Sequence, residues 1–158
     1  AEDMVRHYGL KPGDTILDIG CGKAFLLFEF TRACPGIQVA GLDISQYGID
    51  TAKEEVRPFL RHGNATSLPW PDASFDLVIS INTFHNLQVH EVDQALREMQ
   101  RVGKGKGYLC VESYRTEREK ANLLYWQLTC ESFHRPEGWR WLFERAGYTG
   151  DHGFIYFE

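Results

Sequence analysis

The sequence of 158 residues lacks the features that mark several large classes of protein. It has no tract of lysine or arginine, its formal net charge is −5, and its pI is near 5.7. The electrostatic pattern of nucleic-acid-binding proteins is therefore missing. No apolar run approaches the ~18 residues that a membrane span requires, and the N-terminus has no signal-peptide pattern. We expect neither a nucleic acid nor a membrane as a partner.

Cysteine is scarce, and the cysteines that are present show no metal-binding or disulfide pattern. They are widely spaced and form no Cys-x-x-Cys pair: Cys21, Cys34, Cys110 and Cys130. This spacing predicts no metal site and no disulfide framework, and it favours a reducing, cytoplasmic location. The oligomeric state stays open.

The length favours one domain and is short for two. No internal repeat or low-complexity linker divides the chain, so we expect a single domain over residues 1–158. The sequence begins with Ala1 rather than Met, which suggests a fragment, and we expect the domain to lack a full N-terminal cap.

Apolar runs alternate with helical patterns along the chain, which predicts an α/β fold with a doubly wound, mostly parallel sheet of six to seven strands and helices on both faces. Strands are predicted at residues 15–19, 37–42, 59–63, 75–81, 107–113 and 154–157. Helices are predicted at residues 23–34, 45–56, 89–102, 116–130 and 136–147. Residues 148–150 are expected to be a stub or irregular.

The first strand leads into a glycine turn, and the second ends in a carboxylate. Gly20 and Gly22 allow backbone to approach a ligand closely, and the next helix offers free N–H groups. Asp43 follows Gly22 by 21 positions, where a carboxylate can accept hydrogen bonds from both hydroxyls of a ribose. The alternative for Asp43 is a helix-start residue beside Ser45.

The turn does not fit the common phosphate-binding patterns. A dinucleotide fingerprint requires Gly or Ala at position 25, where Phe25 would obstruct packing between helix and strand. A P-loop requires Gly-Lys-Ser/Thr, and here Gly22-Lys23 is followed by Ala24. A nucleotide-dependent oxidoreductase therefore remains only as an alternative.

The first motif, TILDIGCGKAFLL, resembles that of class I S-adenosylmethionine-dependent methyltransferases, Asp/Glu-x-Gly-x-Gly-x-Gly, with Ala24 in place of the last glycine. A later segment, HGNATSLPWPDASFDLVISINTFHNL, resembles the third-strand loop and fourth strand of the ubiquinone-biosynthesis-like, small-molecule branch. The segments REMQRVGKGKGYLCVE and WRWLFERAGY extend the resemblance over about residues 8–158.

The resemblance implies S-adenosyl-L-methionine as the cofactor, S-adenosyl-L-homocysteine as the product, and a sheet order of 3-2-1-4-5-7-6 with the last strand antiparallel. Asp18 would lie near the methionine amino group and Asp43 at the ribose. Asn64 and Ala65 would read the adenine edge, with Ile44 on one adenine face. The implied cofactor-binding residues are Asp18, Gly20, Cys21, Gly22, Asp43, Ile44, Asn64, Ala65 and Asn82.

Methyl transfer from a sulfonium is an in-line displacement that depends mainly on positioning and needs a general base only for some acceptors. Asn82, Thr83 and His85 follow the fourth strand, where doubly wound sheets bind ligands. His85 is the candidate catalytic residue, as a base or as a group that orients the acceptor; the alternative is a packing histidine. His90 is expected to be solvated, and His134 either lines an acceptor pocket or belongs to a loop.

The segment 114–139 is expected to form a lid over the acceptor or to cover the sheet. Leu124 and Leu128 are expected in the core, whereas Trp126 and Trp139 fit either environment.

Several acceptor classes lack their motifs in this sequence. INTF follows the fourth strand in place of Asn/Asp-Pro-Pro-Tyr/Phe, no Pro-Cys pair is present, and no pair of glutamates follows that strand. These absences disfavour amino-group methylation of bases, C5-pyrimidine methylation and arginine methylation, and leave a small organic acceptor. The alternatives are a non-catalytic S-adenosylmethionine-binding domain and the oxidoreductase named above.

Overall fold

A computed structural model describes residues 1–158 and confirms the α/β fold with a doubly wound parallel sheet. Its six strands lie in the order β3-β2-β1-β4-β5-β6, and every pair is parallel. The strands are β1 (Thr15–Ile19), β2 (Gln38–Asp43), β3 (Leu60–His62), β4 (Leu77–Ile81), β5 (Gly107–Glu112) and β6 (Asp151–Ile155). The helices are α1 (Glu2–Tyr8), α2 (Phe25–Ala33), α3 (Gln46–Asp50), α4 (Val89–Val102), α5 (Glu117–Trp126) and α6 (Pro136–Ala146).

The central strands are apolar almost throughout because helices cover both faces of the sheet. In β1, Leu17 belongs to a core cluster with Leu96 of α4 and Phe143 of α6. Its neighbour Ile16 belongs to a second cluster with Phe30 of α2, and α1 packs against that cluster. Adjacent residues of one strand thus serve opposite faces, as the period of two requires. No helix of the chain is long and apolar enough to cross a bilayer.

Several predicted boundaries differ from the structure. The helix expected at residues 45–56 ends at Asp50, although Ser45 does cap it by accepting a hydrogen bond from the Gly48 N–H at 3.1 Å. The helix expected at residues 116–130 ends at Trp126. The sequence analysis missed α1, which ends at Tyr8 and is followed by Gly9 in the left-handed conformation.

The sheet has six strands, within the predicted six to seven, and its first five follow the predicted order 3-2-1-4-5, whereas one parallel strand stands in place of the expected last two. A single terminal strand beside the fifth is confirmed, but β6 begins at Asp151 and runs parallel to β5, with Tyr108 paired to Asp151 and Glu112 paired to Ile155. Residues 148–150 form no strand. Helix α6 returns the chain to the amino edge of the sheet, as a crossover between parallel strands must, so the strand that follows it runs parallel to β5.

The expectation for the leucines of α5 is also wrong. Leu124 is 45% exposed and Leu128 is 92% exposed, whereas Leu123 is buried. The helix buries Glu119 and Leu123, which lie four residues apart on one face, and Leu128 lies beyond the last helical residue. The sequence analysis left the environments of Trp126 and Trp139 open. Trp126 is exposed, whereas Trp139 is fully buried and its Nε1–H donates to the Glu112 carbonyl at 3.0 Å.

Two tryptophans on α6 provide a matched test of this core. We expect Trp139→Ala to lower the free energy of unfolding by about 3–5 kcal/mol, because it leaves a cavity in the core. The control Trp141→Ala, at a side chain that is 58% exposed, should cost less than about 1 kcal/mol. Urea denaturation measures both, and similar losses in the two variants would contradict this packing.

Candidate functional site

The carboxyl ends of β1, β2 and β4, with the loop after β3, enclose a cavity of about 330 Å³. This volume suits a small-molecule site, for which about 300–1,000 Å³ is typical. Of the predicted cofactor-binding residues, six line it: Gly20, Asp43, Ile44, Asn64, Ala65 and Asn82. Five further residues complete the wall: Leu42, Gly63, Thr83, Asn86 and Leu87. The structure thus brings together most of the predicted cofactor-binding residues. Four predicted site residues lie outside the cavity wall: Asp18, Cys21, Gly22 and His85.

The glycine turn is tied to the end of β2. The backbone N–H groups of Gly20 and Cys21 both donate to the Leu42 carbonyl, at 2.7 and 3.1 Å. Gly20 has a φ of 82°, and a Cβ there would lie 2.1 Å from the Thr83 Oγ1. Only glycine fits this position, both for its backbone conformation and for its closeness to the loop after β4.

Ala24 occupies the position where the methyltransferase motif has its last glycine. Its φ of 55° and ψ of 32° are left-handed, the conformation that glycine adopts without strain. An alanine there costs about 1–2 kcal/mol in backbone energy. The departure from the motif therefore changes the residue and keeps a glycine-like backbone.

Asp43 holds the two loops that meet at the cavity. Its Oδ2 accepts a hydrogen bond from the Gly22 N–H at 2.6 Å, and its Oδ1 accepts one from the Ser45 N–H at 2.7 Å. Asp43 thus anchors the start of α3 and also lines the cavity, and its contact with a ribose stays a prediction. Each oxygen of an ionised carboxylate keeps a second lone pair for a ligand hydroxyl.

The opposite wall of the cavity contains Ile44 and Asn64. Ile44 is 70% exposed and offers an apolar surface on which a planar ring could pack. The Asn64 Oδ1 accepts hydrogen bonds from both the N–H and the hydroxyl of Thr66, each at 3.0 Å. The Asn64 Oδ1 therefore already stabilises the loop after β3. To recognise an adenine amine, this oxygen would have to accept a further hydrogen bond in addition to those from Thr66.

The thiol of Cys21 points away from the cavity. A Cβ added at Gly41 would lie 2.7 Å from the Cys21 Sγ, so the thiol occupies the space beside β2 that glycine leaves open. Burial raises the pKa of the Cys21 thiol far above its usual value. Cys21 can therefore contribute only its backbone to a ligand site.

Asp18 is a buried carboxylate beneath the glycine turn, with 5% of its surface exposed. Burial raises the pKa of Asp18 to about 7, and the negative charge of Asp43 adds to the effect. A carboxylate in this position favours a neighbouring cation or a proton.

His85 is buried in the 3₁₀ turn Phe84–Asn86, with 1% of its surface exposed. Its Nδ1 accepts the backbone N–H of Glu112 at 3.4 Å, and its Nε2 lies 3.5 Å from the Glu112 Oε2. Burial lowers the pKa of His85 to about 4, so the ring is neutral at pH 7. The catalytic assignment stays a prediction, and this placement favours the packing alternative over a base that contacts the acceptor.

The other two histidines that the sequence analysis weighed, His90 and His134, do not line the cavity. His90 is exposed at the start of α4. His134 packs edge-on against Trp139 with ring centroids 5.1 Å apart, and its Nε2 is buried without a partner. The sequence analysis missed Asn86 and Leu87 as wall residues; the signal was their place, directly after Asn82 and Thr83 in the same loop.

Comparison with known proteins identifies relatives of this chain. A family model described as a methyltransferase domain matches residues 17–111. The demethylmenaquinone methyltransferase of Lysinibacillus sphaericus is 36% identical over 121 residues, which cover 73% of this chain and 51% of that protein. The 27-O-demethylrifamycin SV methyltransferase of Amycolatopsis mediterranei is 31% identical over 104 residues, which cover 60% of this chain and 38% of that protein. The chain thus spans about half the length, or less, of such relatives.

Solved structures share the fold at low sequence identity. The YcgJ protein of Bacillus subtilis superposes with a TM-score of 0.73 at 22% identity, covering 90% of this chain and 65% of that one. The [4+2]-cyclase SpnF superposes with a TM-score of 0.70 at 24% identity, covering 92% of this chain and 56% of that one. These likenesses concern the fold alone, which hosts more than one chemistry.

The raised pKa of Asp18 predicts a specific dependence of stability on pH. Between its unfolded value of 3.8 and its folded value of about 7, the folded protein holds a proton there that the unfolded chain releases. The contribution of Asp18 to stability is therefore present at low pH and is lost as the pH rises through about 7. Asp18→Asn has no group that titrates at this position, so it avoids the loss. The difference in free energy of unfolding between Asp18→Asn and the unaltered protein should therefore change in favour of the variant by on the order of 2 kcal/mol from pH 5 to pH 8.

Urea denaturation at the two pH values measures the difference between the proteins. Asp50→Asn, at an exposed position on α3, is the control and should show the same pH dependence as the unaltered protein. Curves for Asp18→Asn that run parallel to those of the unaltered protein would contradict the assigned shift.

Proposed function

Because the chain belongs to the family of methyltransferase domains, we propose that it binds S-adenosyl-L-methionine in the cavity at the carboxyl edge of its sheet and transfers the methyl group to a small organic acceptor. The observation that carries the proposal is the meeting of Gly20 and Asp43 in one cavity wall, with Asn64 and Ala65 in the same enclosure. This arrangement offers a close backbone approach, a carboxylate for two hydroxyls and a polar edge for a base.

The residues present fit this cofactor. Gly20 has no Cβ, so the Thr83 side chain can pack against the glycine turn at the cavity wall, and any other residue at position 20 would displace it. The Asp43 oxygens have lone pairs beyond those used by Gly22 and Ser45. The buried Asp18 carboxylate favours a cationic group such as the amino group of methionine. An apolar, exposed Ile44 suits one face of an adenine.

When bound, the cofactor supplies an activated methyl group on a sulfonium. The chain has to hold the acceptor in line with that methyl and exclude water, and such positioning can lower a barrier by about 7–11 kcal/mol. Asp43 would bind the ribose hydroxyls and Ile44 would pack on the adenine. Asn82 and Thr83 follow β4 at the rim, where they can orient an acceptor. His85 does not line the cavity, so we assign it no contact with the acceptor.

The acceptor class rests on two kinds of support. The motifs for base, C5-pyrimidine and arginine methylation are absent from the sequence. The names of two relatives refer to demethylmenaquinone and to a demethylrifamycin, both small organic molecules. A domain that binds the cofactor without methyl transfer is the alternative. Transfer of labelled methyl to a panel of phenols, quinols, amines and thiols separates the two, since no product with any acceptor would favour the alternative.

The oxidoreductase alternative loses one argument that the sequence raised against it. Phe25 begins α2 and is 60% exposed, so its ring does not obstruct the packing of helix against strand. Family membership now disfavours that alternative, and NAD serves as the control ligand below. The cytoplasmic location stays a prediction.

We expect S-adenosyl-L-homocysteine to bind and to raise the melting temperature. At 100 times its dissociation constant, a ligand that binds only the folded protein stabilises it by about 2.7 kcal/mol. Differential scanning fluorimetry with S-adenosyl-L-homocysteine, and with NAD as the control, measures this. A shift with NAD alone would favour the oxidoreductase, and no shift with millimolar S-adenosyl-L-homocysteine would contradict the proposal.

We expect Asp43→Ala to weaken binding of S-adenosyl-L-homocysteine by about 2 kcal/mol or more, because two hydroxyls lose a charged acceptor. Asp50→Ala, on the neighbouring α3 and exposed, should leave the affinity unchanged. Titration calorimetry measures both variants. Equal affinities for Asp43→Ala and the unaltered protein would leave Asp43 only its role at the start of α3.

A further inference from the structure

Glu112 is a buried carboxylate that neither the sequence analysis nor the proposed reaction uses. It ends β5 at the carboxyl edge of the sheet and is 1% exposed. Its Oε1 accepts a hydrogen bond of 2.5 Å from the Gln127 amide, whereas its Oε2 is buried without a hydrogen-bond partner. A half-satisfied buried carboxylate is costly, so its presence calls for an explanation.

Besides Gln127, two side chains face the Glu112 carboxylate. Burial raises the pKa of Glu112, whereas the Asn82 amide acts to lower it. The His85 Nε2 lies 3.5 Å from the Glu112 Oε2. The His85 Nδ1 accepts the backbone N–H of the same Glu112, at 3.4 Å. A neutral imidazole has one donor and one acceptor nitrogen. Because Nδ1 is the acceptor, the proton lies on Nε2 and faces the carboxylate. Glu112 thus sets both the tautomer and the orientation of the His85 ring.

His85 in turn belongs to the loop that forms one wall of the cofactor cavity, residues 82–87, which contributes Asn82, Thr83, Asn86 and Leu87 to the wall. The outer side of this loop is held by the segment 127–132. The His85 carbonyl accepts the Ser132 N–H at 3.0 Å, and the Ser132 hydroxyl donates to the Leu87 carbonyl at 2.6 Å. His85 is therefore the point where β5, the cavity wall and the segment 127–132 meet.

We propose that Glu112 and His85 act as a positioning pair for the cofactor cavity, in which the Glu112 carboxylate accepts the His85 Nε2–H and thereby fixes the wall formed by residues 82–87. The inference rests on the proposed function, since it concerns the same cavity. Neither side chain lines the cavity, so the pair acts on a ligand only through wall residues: Asn82 beside the Glu112 carboxylate, and Asn86 and Leu87 beside His85. The 3.5 Å contact is long for a hydrogen bond, and we expect it to shorten when the wall closes on the cofactor.

Two substitutions at His85 test the hydrogen bonds of its two ring nitrogens independently. His85→Asn keeps an acceptor near the place of Nδ1 and removes the Nε2 donor. His85→Gln keeps an amide donor near the place of Nε2 and removes the Nδ1 acceptor. Because the wall loses the contact that fixes it, we expect His85→Asn to weaken binding of S-adenosyl-L-homocysteine by about tenfold or more, which corresponds to about 1.4 kcal/mol. His85→Gln should stay within about threefold of the unaltered protein.

Substitutions at Glu112 test the other half of the pair. Glu112→Gln retains one carbonyl oxygen that can accept the Nε2–H, provided that the Gln127 amide turns so that its oxygen accepts from the new NH₂ group, and the variant should bind within about threefold of the unaltered protein. Glu112→Leu removes the acceptor and should match His85→Asn. The double variant Glu112→Leu/His85→Asn should be no weaker than either alone, because residues that act as a pair are not additive.

Glu119→Gln is the matched control for the loss of a buried carboxylate. Glu119 is 6% exposed and pairs with Arg115, away from residues 82–87. Its substitution should change stability and leave the affinity for S-adenosyl-L-homocysteine unchanged. A merely structural role for Glu112 predicts the same result for Glu112→Leu.

The tautomer is read on the unaltered protein by ¹⁵N NMR of the His85 imidazole. The inference predicts a proton on Nε2 at pH 7 and a change in the Nε2–H signal when S-adenosyl-L-homocysteine binds. A proton on Nδ1, or folded His85→Asn and Glu112→Leu variants with unchanged affinity, would overturn the positioning pair. Failure of the unaltered protein to bind S-adenosyl-L-homocysteine would instead overturn the proposed function.

Discussion

The site depends on one backbone junction, where the turn after β1 is fastened to the end of β2. The Leu42 carbonyl accepts two N–H groups of the turn, and the next residue, Asp43, accepts a third from Gly22. Parallel strands place all their carboxyl ends at one edge, so this junction also brings in the loops after β3 and β4. Gly20 is what permits the loop after β4 to approach, since any side chain there would collide with Thr83. The cavity is a consequence of these contacts.

The same edge of the sheet concentrates titratable groups whose charged forms are disfavoured by burial. Burial raises the pKa of Asp18 to about 7, raises that of Glu112 and lowers that of His85 to about 4. Charge is expensive in such an environment unless a partner compensates it. As proposed, a cationic ligand would compensate Asp18, and the neutral His85 ring would donate its Nε2–H to the Glu112 Oε2, which lies 3.5 Å away. Asp18 would then serve binding of the ligand, and Glu112 would serve the position of the cavity wall.

The sequence predicts the elements whose cause is local. Continuous apolar runs predict β1 and β4, and the glycine turn with Asp43 identifies one wall of the cavity, because those signals lie in the residues themselves. The parallel placement of β6 depends on where α6 returns the chain, and the burial of Leu123 instead of Leu124 depends on the phase of α5 against the sheet. The pairing of Glu112 with His85 joins residues 27 positions apart through the sheet, which no local pattern encodes.

The central claim is that the cavity lined by Gly20 and Asp43 holds the methyl donor. A crystal structure of this chain with S-adenosyl-L-homocysteine tests it most directly. The account predicts both ribose hydroxyls within about 2.5–3.0 Å of the Asp43 carboxylate oxygens, and the adenine against Ile44. A nucleoside bound elsewhere, with Asp43 still bonded only to the Gly22 and Ser45 N–H groups, would contradict it.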